Sequence, residues 1–198
     1  MENIILLALG LTSLVTLMFI IERSWALRRD KVIPPAIIQA LEAVRKTDAE
    51  ANLRQVCQNH PSVLGDLLMV AANHMDWPKE DNEDAVQTRA RQQVVKMERG
   101  LVVLEVAVGI APLLGLVGTI YGMMTLFRGL GQSAANDNAA LASGIAVILQ
   151  STMLGLVIAI PSLVAWSYFS KKVEMLAVEL ETLCGEFLRR QYRDESKK

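Results

Sequence analysis

Residues 106–127 read VAVGIAPLLGLVGTIYGMMTLF, a run of 22 residues without a charged side chain. Two further uncharged runs occupy residues 4–21 and 145–169. A bilayer core is crossed by about 20 apolar residues in a helix that rises about 1.5 Å per residue, so each run is long enough to span a membrane. The sequence therefore predicts an all-α membrane protein with transmembrane helices at 1–22, 101–128 and 144–170.

The composition agrees with apolar and charged residues being segregated along the chain. Of the 198 residues, 52% are hydrophobic and 21% are charged, with a net charge of −1. The apolar content excludes a disordered chain, and two cysteines exclude a disulfide scaffold. A near-neutral charge gives no reason to expect nucleic-acid binding.

The basic residues predict the orientation. Twelve of the 20 Lys and Arg residues lie between Glu22 and Gly100, seven follow Ser170, and Arg128 alone stands between the second and third runs. The positive-inside rule then makes the N-terminus periplasmic and the C-terminus cytoplasmic. The first run has no basic residue before it and no small-x-small cleavage site, so it is predicted to be a retained anchor, not a signal peptide.

The segments outside the spans are predicted to be helical or loop. One helix is expected from Ala36 to about Val56, before His60-Pro61, and a second over Val63–Met75. A third, from Asp84, is expected to pass through Gly100 into the second span. The resulting domains are a cytoplasmic helical domain at 23–100, a periplasmic loop at 129–143 and a cytoplasmic C-terminal helix and tail at 171–198.

Small residues recur at helical spacing within the second and third spans. They are Gly115, Gly118, Gly122 and Gly155. Small side chains let membrane helices approach closely, which is how helices associate where lipid provides no hydrophobic driving force. These glycines are therefore predicted to pack helices together.

Polar residues within the spans are the candidates for an ion pathway: Thr119, Gln150, Ser151 and Thr152. No Asp, Glu, Lys, Arg or His occupies the middle of any span. Such a chain has no side chain of its own that can bind and release a proton at mid-membrane.

The run Ala111-Pro-Leu-Leu-Gly-Leu-Val-Gly-Thr-Ile-Tyr-Gly-Met resembles the second-helix signature of the ExbB/TolQ/MotA family of ion-driven motor proteins. So do Gly144-Ile-Ala and Gly155-Leu-Val-Ile-Ala-Ile-Pro-Ser-Leu-Val-Ala in the third helix. The three-span plan with an external N-terminus is similar to the ExbB/TolQ branch. The resemblance covers essentially the whole chain.

The resemblance implies a multi-pass protein of the bacterial inner (cytoplasmic) membrane. It implies a homopentamer around an ExbD/TolR-like single-span partner that carries an essential membrane Asp. The second and third helices would line the pore, with Thr119 and Thr152 facing that Asp. Ion flow would then be coupled to work in the periplasm or at the outer membrane.

One position departs from the family pattern. ExbB and TolQ proteins typically read Gly-Ile-Ala-Glu in the third helix, whereas this chain has Val147 in place of the acid. Hydroxyl and amide oxygens with a partner carboxylate could coordinate Na⁺ as plausibly as they relay H⁺, and H⁺ is expected as the commoner family ion. A non-conducting membrane scaffold or assembly subunit is the alternative, and the missing acid is its best support.

The remaining residues indicate no catalytic or metal chemistry. His60 and His74 lack a metal-binding frame, so no metal and no cofactor are expected. Cys57 and Cys184 fall on the reducing side and are not expected to pair. No nucleophile elbow or P-loop occurs, which argues against an enzyme. The basic belt at 23–31 is expected to contact lipid headgroups.

Overall fold

The computed structural model describes residues 2–43, 49–130 and 138–195. Within these ranges the backbone is helical and contains no β-strand, as the sequence predicts. The helices are α1 (Glu2–Ala26), α2 (Arg29–Val32), α3 (Pro35–Ala43), α4 (Ala49–Asn59), α5 (Val63–Asn73), α6 (Lys79–Glu98), α7 (Leu101–Leu130) and α8 (Asn138–Glu195).

Three of these helices are long and apolar enough to cross a membrane. The apolar stretches are Ile4–Ala26 in α1, Leu101–Gly129 in α7 and a part of Gly144–Arg193 in α8. The chain divides into an apolar unit, Met1–Arg23 with Gly100–Tyr168, and a polar unit, Ser24–Arg99 with Phe169–Lys198. Helix α8 contributes to both units and continues unbroken beyond Ser170, as predicted.

In the apolar unit, α7 and α8 meet backbone to backbone at glycine. A Cβ atom at Gly155 would lie 2.6 Å from the carbonyl oxygen of Ala111, and one at Gly115 would lie 2.9 Å from the carbonyl oxygen of Ser151. Both distances are shorter than a carbon–oxygen contact allows, so only glycine permits this approach. We call this contact the α7–α8 crossing.

The crossing extends along α7 through two further glycines. A Cβ at Gly118 would lie 2.8 Å from the Cβ of Ser151 and 3.4 Å from Ile5 of α1, and one at Gly122 would lie 2.6 Å from Ile148. All four glycines predicted to pack helices therefore lie against helices of their own chain. By contrast, Gly109 on the same helix has no such neighbour within 4 Å.

The polar unit folds back on itself where the sequence predicted one helix. The prediction of a single helix from Ala36 to about Val56 is wrong, because α3 ends at Ala43 and α4, which begins at Ala49, packs against it. Residues 44–48 lie outside the described ranges. The reversal lets Ile37 and Leu41 of α3 and Leu53 of α4 all be buried in the polar unit.

The predicted continuous helix from Asp84 into the second span is also interrupted. Helix α6 already begins at Lys79 and ends at Glu98, and Arg99 and Gly100 form a turn before α7. The guanidinium group of Arg23 lies where a side chain at Gly100 would project. Glycine has a low helix propensity, and its lack of a side chain leaves room for the guanidinium group. Together these account for the break between α6 and α7.

An ion pair joins α5 to α6 in the polar unit. Arg89 donates to the two carboxylate oxygens of Asp66 from Nε at 2.7 Å and from Nη2 at 3.0 Å, and Gln93 donates to the same carboxylate. These hydrogen bonds, the one from Arg89 first, outweigh burial and lower the pKa of Asp66. The ionised form of Asp66 is therefore the one that stabilises the polar unit.

The Asp66–Arg89 pair predicts a pH-dependent stability difference. Because the pKa of Asp66 is lower in the folded than in the unfolded chain, its contribution is complete above the unfolded value of about 3.9 and is lost as the pH falls through the folded value. Both side chains are partly exposed, so Asp66→Asn should cost at most about 1 kcal/mol at pH 7. Thermal unfolding in detergent should show that the stability difference between the unmodified chain and Asp66→Asn becomes smaller as the pH falls below about 4. The exposed Glu80→Gln is the control, and a difference that is the same at every pH would contradict the assignment.

The α7–α8 crossing predicts opposite effects for two glycine substitutions. Gly155→Ala would force the helices apart and should cost about 1–3 kcal/mol, as overpacking does. Gly109→Ala has free space and should be neutral or stabilise α7 by up to about 1 kcal/mol. The measurement is thermal unfolding of both variants in the same detergent. Equal melting temperatures for Gly155→Ala and the unmodified chain would show that the backbones do not touch there.

Candidate ion-pathway site

Thr119 of α7 and Thr152 of α8 both lie near residues 115–119 of α7. The Thr152 hydroxyl on α8 donates to the carbonyl oxygen of Gly115 on α7 over a long distance of 3.5 Å. Thr119 lies one helical turn beyond Gly115, and its hydroxyl donates to the Leu116 carbonyl oxygen at 2.7 Å. Both threonine side chains are half-buried. The structure thus places the two hydroxyls within about one turn of each other.

The oxygen atoms of these two hydroxyls can act as hydrogen-bond acceptors. A hydroxyl whose hydrogen is donated to a carbonyl keeps its oxygen lone pairs available. Such an oxygen can accept a hydrogen bond from water or coordinate a monovalent cation. The close approach at Gly115 is what lets the short Thr152 side chain reach across to α7.

Ser151 lies within the crossing itself. It is half-buried, and its Oγ would lie 3.1 Å from a Cβ placed at Gly118. Its side chain therefore fills the space between the helices, next to Thr152.

Gln150 and Val147 are not brought together with the threonines. Gln150 stands two residues before Thr152, so its side chain leaves α8 about 200° around the helix from that threonine. It is exposed in the protomer, and Val147 is 51% exposed. Within one protomer the predicted set Thr119, Thr152 and Gln150 therefore does not line a single surface.

The described residues contain no cluster of three or more His, Cys, Asp or Glu that could hold a metal ion. The apolar runs of α7 and α8 carry hydroxyl, amide and carbonyl groups but no titratable carboxylate. The chemistry available at the crossing is therefore coordination and hydrogen bonding, not proton exchange by a side chain of this chain.

Sequence reasoning missed the surface that receives Gly155. Ala111 is fully buried and presents its carbonyl to Gly155. The signal was present, because Ala111 and Gly115 are small residues four apart on one helical face. Ile148, which covers Gly122, could not be singled out, since isoleucine is common on every face of a membrane helix.

Comparison with known proteins identifies the family of this chain. Residues 59–182, more than half of the chain, match the model of the MotA/TolQ/ExbB proton channel family. The chain is 33% identical over 172 residues to a putative biopolymer transport protein ExbB homolog of Methanothermobacter thermautotrophicus, covering 84% of this chain and 58% of the relative. It is 32% identical over 142 residues to the biopolymer transport protein ExbB of Salmonella typhimurium, covering 67% and 58%.

A further relative is the Tol-Pal system protein TolQ of Pseudomonas aeruginosa, 36% identical over 103 residues, which are 52% of this chain and 45% of the relative. The chain thus spans less than two thirds of the length of these three relatives. The family match includes all of α7 and most of α8, the two helices that form the crossing. The chain therefore belongs to the MotA/TolQ/ExbB proton channel family and is a multi-pass protein of the inner membrane.

Proposed function

We propose that this chain is the channel-forming subunit of an ion-motive-force-driven motor of the ExbB/TolQ type. In this proposal it forms a pentamer around an ExbD/TolR-like single-span partner. Flow of H⁺ through the complex is coupled to work in the periplasm or at the outer membrane. The observation that carries the proposal is that Thr152 of α8 donates to the Gly115 carbonyl of α7, one helical turn from Thr119.

The need for a partner follows from the groups that the crossing lacks. Charged groups within a bilayer are costly and mark ion routes, yet the apolar runs of α7 and α8 supply hydroxyls without a carboxylate. A single-span protein with a membrane Asp would provide the titratable group. Thr119 and Thr152 would then hold water or the ion beside that Asp.

The need for several copies follows from the surface of one protomer. Large apolar side chains on both α7 and α8 are exposed, among them Leu113, Ile120, Leu149 and Val157. Half-buried threonines beside such a surface would be poorly placed in lipid. A ring of copies turns one side of the crossing toward an interior and the other toward neighbours and lipid.

The proposed orientation rests on charge. The polar unit and the residues after Ser170 hold almost all of the Lys and Arg, which places them in the cytoplasm under the positive-inside rule. The N-terminus and the segment 129–143 are then periplasmic. Lys31 stacks over the Trp25 ring at 4.2 Å, an arrangement suited to the membrane–water boundary.

One observation favours the second candidate, a non-conducting scaffold. The Thr119 hydroxyl already has an acceptor in its own helix, so it is satisfied without an ion, and Val147 carries no acid. In a variant of the first proposal, the channel conducts Na⁺ instead of H⁺. Conduction of Na⁺ requires no side chain that relays protons. A substitution test separates these proposals.

Thr119→Val and Thr152→Val should each leave the complex assembled and reduce ion-driven flux. Valine keeps the volume and removes the oxygen, and losing one hydrogen bond to the ion or its water costs about 1.5 kcal/mol, which lowers flux about tenfold. Flux of H⁺ and of Na⁺ would be followed separately in vesicles that contain the chain with its co-purified single-span partner.

Thr125→Val is the matched control. Its hydroxyl also donates to a carbonyl of its own helix, that of Tyr121 at 3.0 Å, but it leaves α7 about 240° around the helix from Thr119. Thr125→Val should retain flux. If all three variants conduct like the unmodified chain, the threonines do not line the pathway and the scaffold proposal is favoured.

A further inference from the structure

Glu105 stands at the start of the apolar run of α7. It immediately precedes Val106, the first residue of the uncharged stretch, and its side chain is exposed in the protomer. None of the ion pairs among the described residues includes it. A carboxylate at this depth that lacks a cationic partner requires water or another cation.

The face of α7 that carries Glu105 also carries Thr119. The two residues are about four turns apart, so their side chains leave the helix within about 40° of each other, about 21 Å apart along the axis. Between them on this side lie Gly109, Pro112 and Leu116. We call these five residues the Glu105 stripe.

Most of this stripe is left uncovered by the part of the protomer that the structure describes. Glu105, Gly109 and Leu116 are exposed, and Pro112 and Thr119 are half-buried. A Cβ placed at Gly109 would meet no neighbouring side chain or helix within 4 Å. The stripe is therefore a surface of the protomer that leads away from Thr119 toward Glu105.

A proline adds an oxygen acceptor along the way. Pro112 lies inside α7 and has no N–H to donate, so the carbonyl oxygen of Val108 loses its usual helical partner. Val108 leaves the helix within about 60° of Glu105. This side of α7 thus carries the Glu105 carboxylate and, about one turn later, the Val108 carbonyl, with Thr119 about 16 Å further along the axis.

We propose that Glu105 binds the permeating monovalent cation at one end of an ion pathway that follows the Glu105 stripe. The inference rests on the proposed function and deepens it. For H⁺, a carboxylate oxygen of Glu105 accepts the proton of a hydronium ion in the pathway, which leaves neutral water, and the carboxylic acid then releases that proton to bulk water and is a carboxylate again. For Na⁺, the same oxygens coordinate the ion directly. In a ring of copies, one carboxylate per subunit concentrates cations at this mouth.

The ion pairs of the described residues near this end of the apolar unit do not include Glu105. The guanidinium of Arg23 on α1 lies beside Gly100 and is paired with Glu22 at 3.0 Å, and the apolar run of α8 contributes no charge. Under the proposed orientation this mouth opens to the cytoplasm, so Glu105 would be the site of ion release.

Thiol labelling tests the course of the pathway independently of transport. Gly109→Cys and Leu116→Cys lie on the Glu105 stripe, whereas Ile110→Cys and Val117→Cys are controls at equal depth on a different face, where Ile110 and Val117 are 45% and 52% exposed. A charged methanethiosulfonate should react with the stripe cysteines at least about tenfold faster, because the reactive thiolate forms in water and not in hydrocarbon. The native Cys57 and Cys184 are buried, and burial raises the pKa of Cys57, so the unmodified chain supplies the background.

Flux tests the carboxylate itself. Glu105→Gln should lower ion flux by about tenfold, the lower end of what a focused charge contributes, and Glu105→Asp should restore most of it. Glu98→Gln removes an equally exposed carboxylate from α6 and should leave flux unchanged. Equal labelling rates on the two faces of α7, or full flux in Glu105→Gln, would overturn this inference. In that case a loss of flux in Thr119→Val would still support the proposed function. A wild-type complex that conducts neither ion would overturn both.

Discussion

The contact of the α7 and α8 backbones at Gly115 and Gly155 is the constraint on which the rest of the apolar unit depends. Lipid provides no hydrophobic force that holds two membrane helices together, so they associate through close packing. Here the packing leaves no room for a side chain, because a Cβ at Gly155 would lie 2.6 Å from a carbonyl oxygen. The relative rotation of the two helices is fixed as a result.

That rotation decides which polar groups can act together. With this rotation, Thr152 lies beside the Gly115 carbonyl, one helical turn from Thr119. Gln150 then lies on the opposite side of α8 and is exposed. On α7, the same rotation leaves the side that carries Glu105 uncovered. The resulting surface has a hydroxyl at Thr119 and a carboxylate at Glu105, with no carboxylate between them. The proposal that a partner supplies a mid-membrane carboxylate rests on this absence.

The sequence was sufficient for the helices of the apolar unit and for the four glycines at which they cross, but not for Ala111 and Ile148, which lie against two of those glycines. Uncharged runs of this length have few alternatives to membrane helices, and glycines at helical spacing mark a packing face. The sequence did not show on which side of α8 Gln150 lies relative to α7. That position follows only once the face of α8 that packs against α7 is known. In the polar unit, amphipathic spacing predicted helix correctly for the described residues of α3 and α4. It could not show that α4 packs back against α3, since both helices bury apolar residues in one core.

In the proposed complex, the crossing is part of a ring that encloses a partner. Native mass spectrometry of the complex, extracted in mild detergent with the proteins that co-purify, measures this directly. The account predicts five copies of this 21.8 kDa chain together with copies of a single-span protein that has an Asp in its membrane helix. A chain that is recovered as a monomer, or as an oligomer with no such protein, would contradict it.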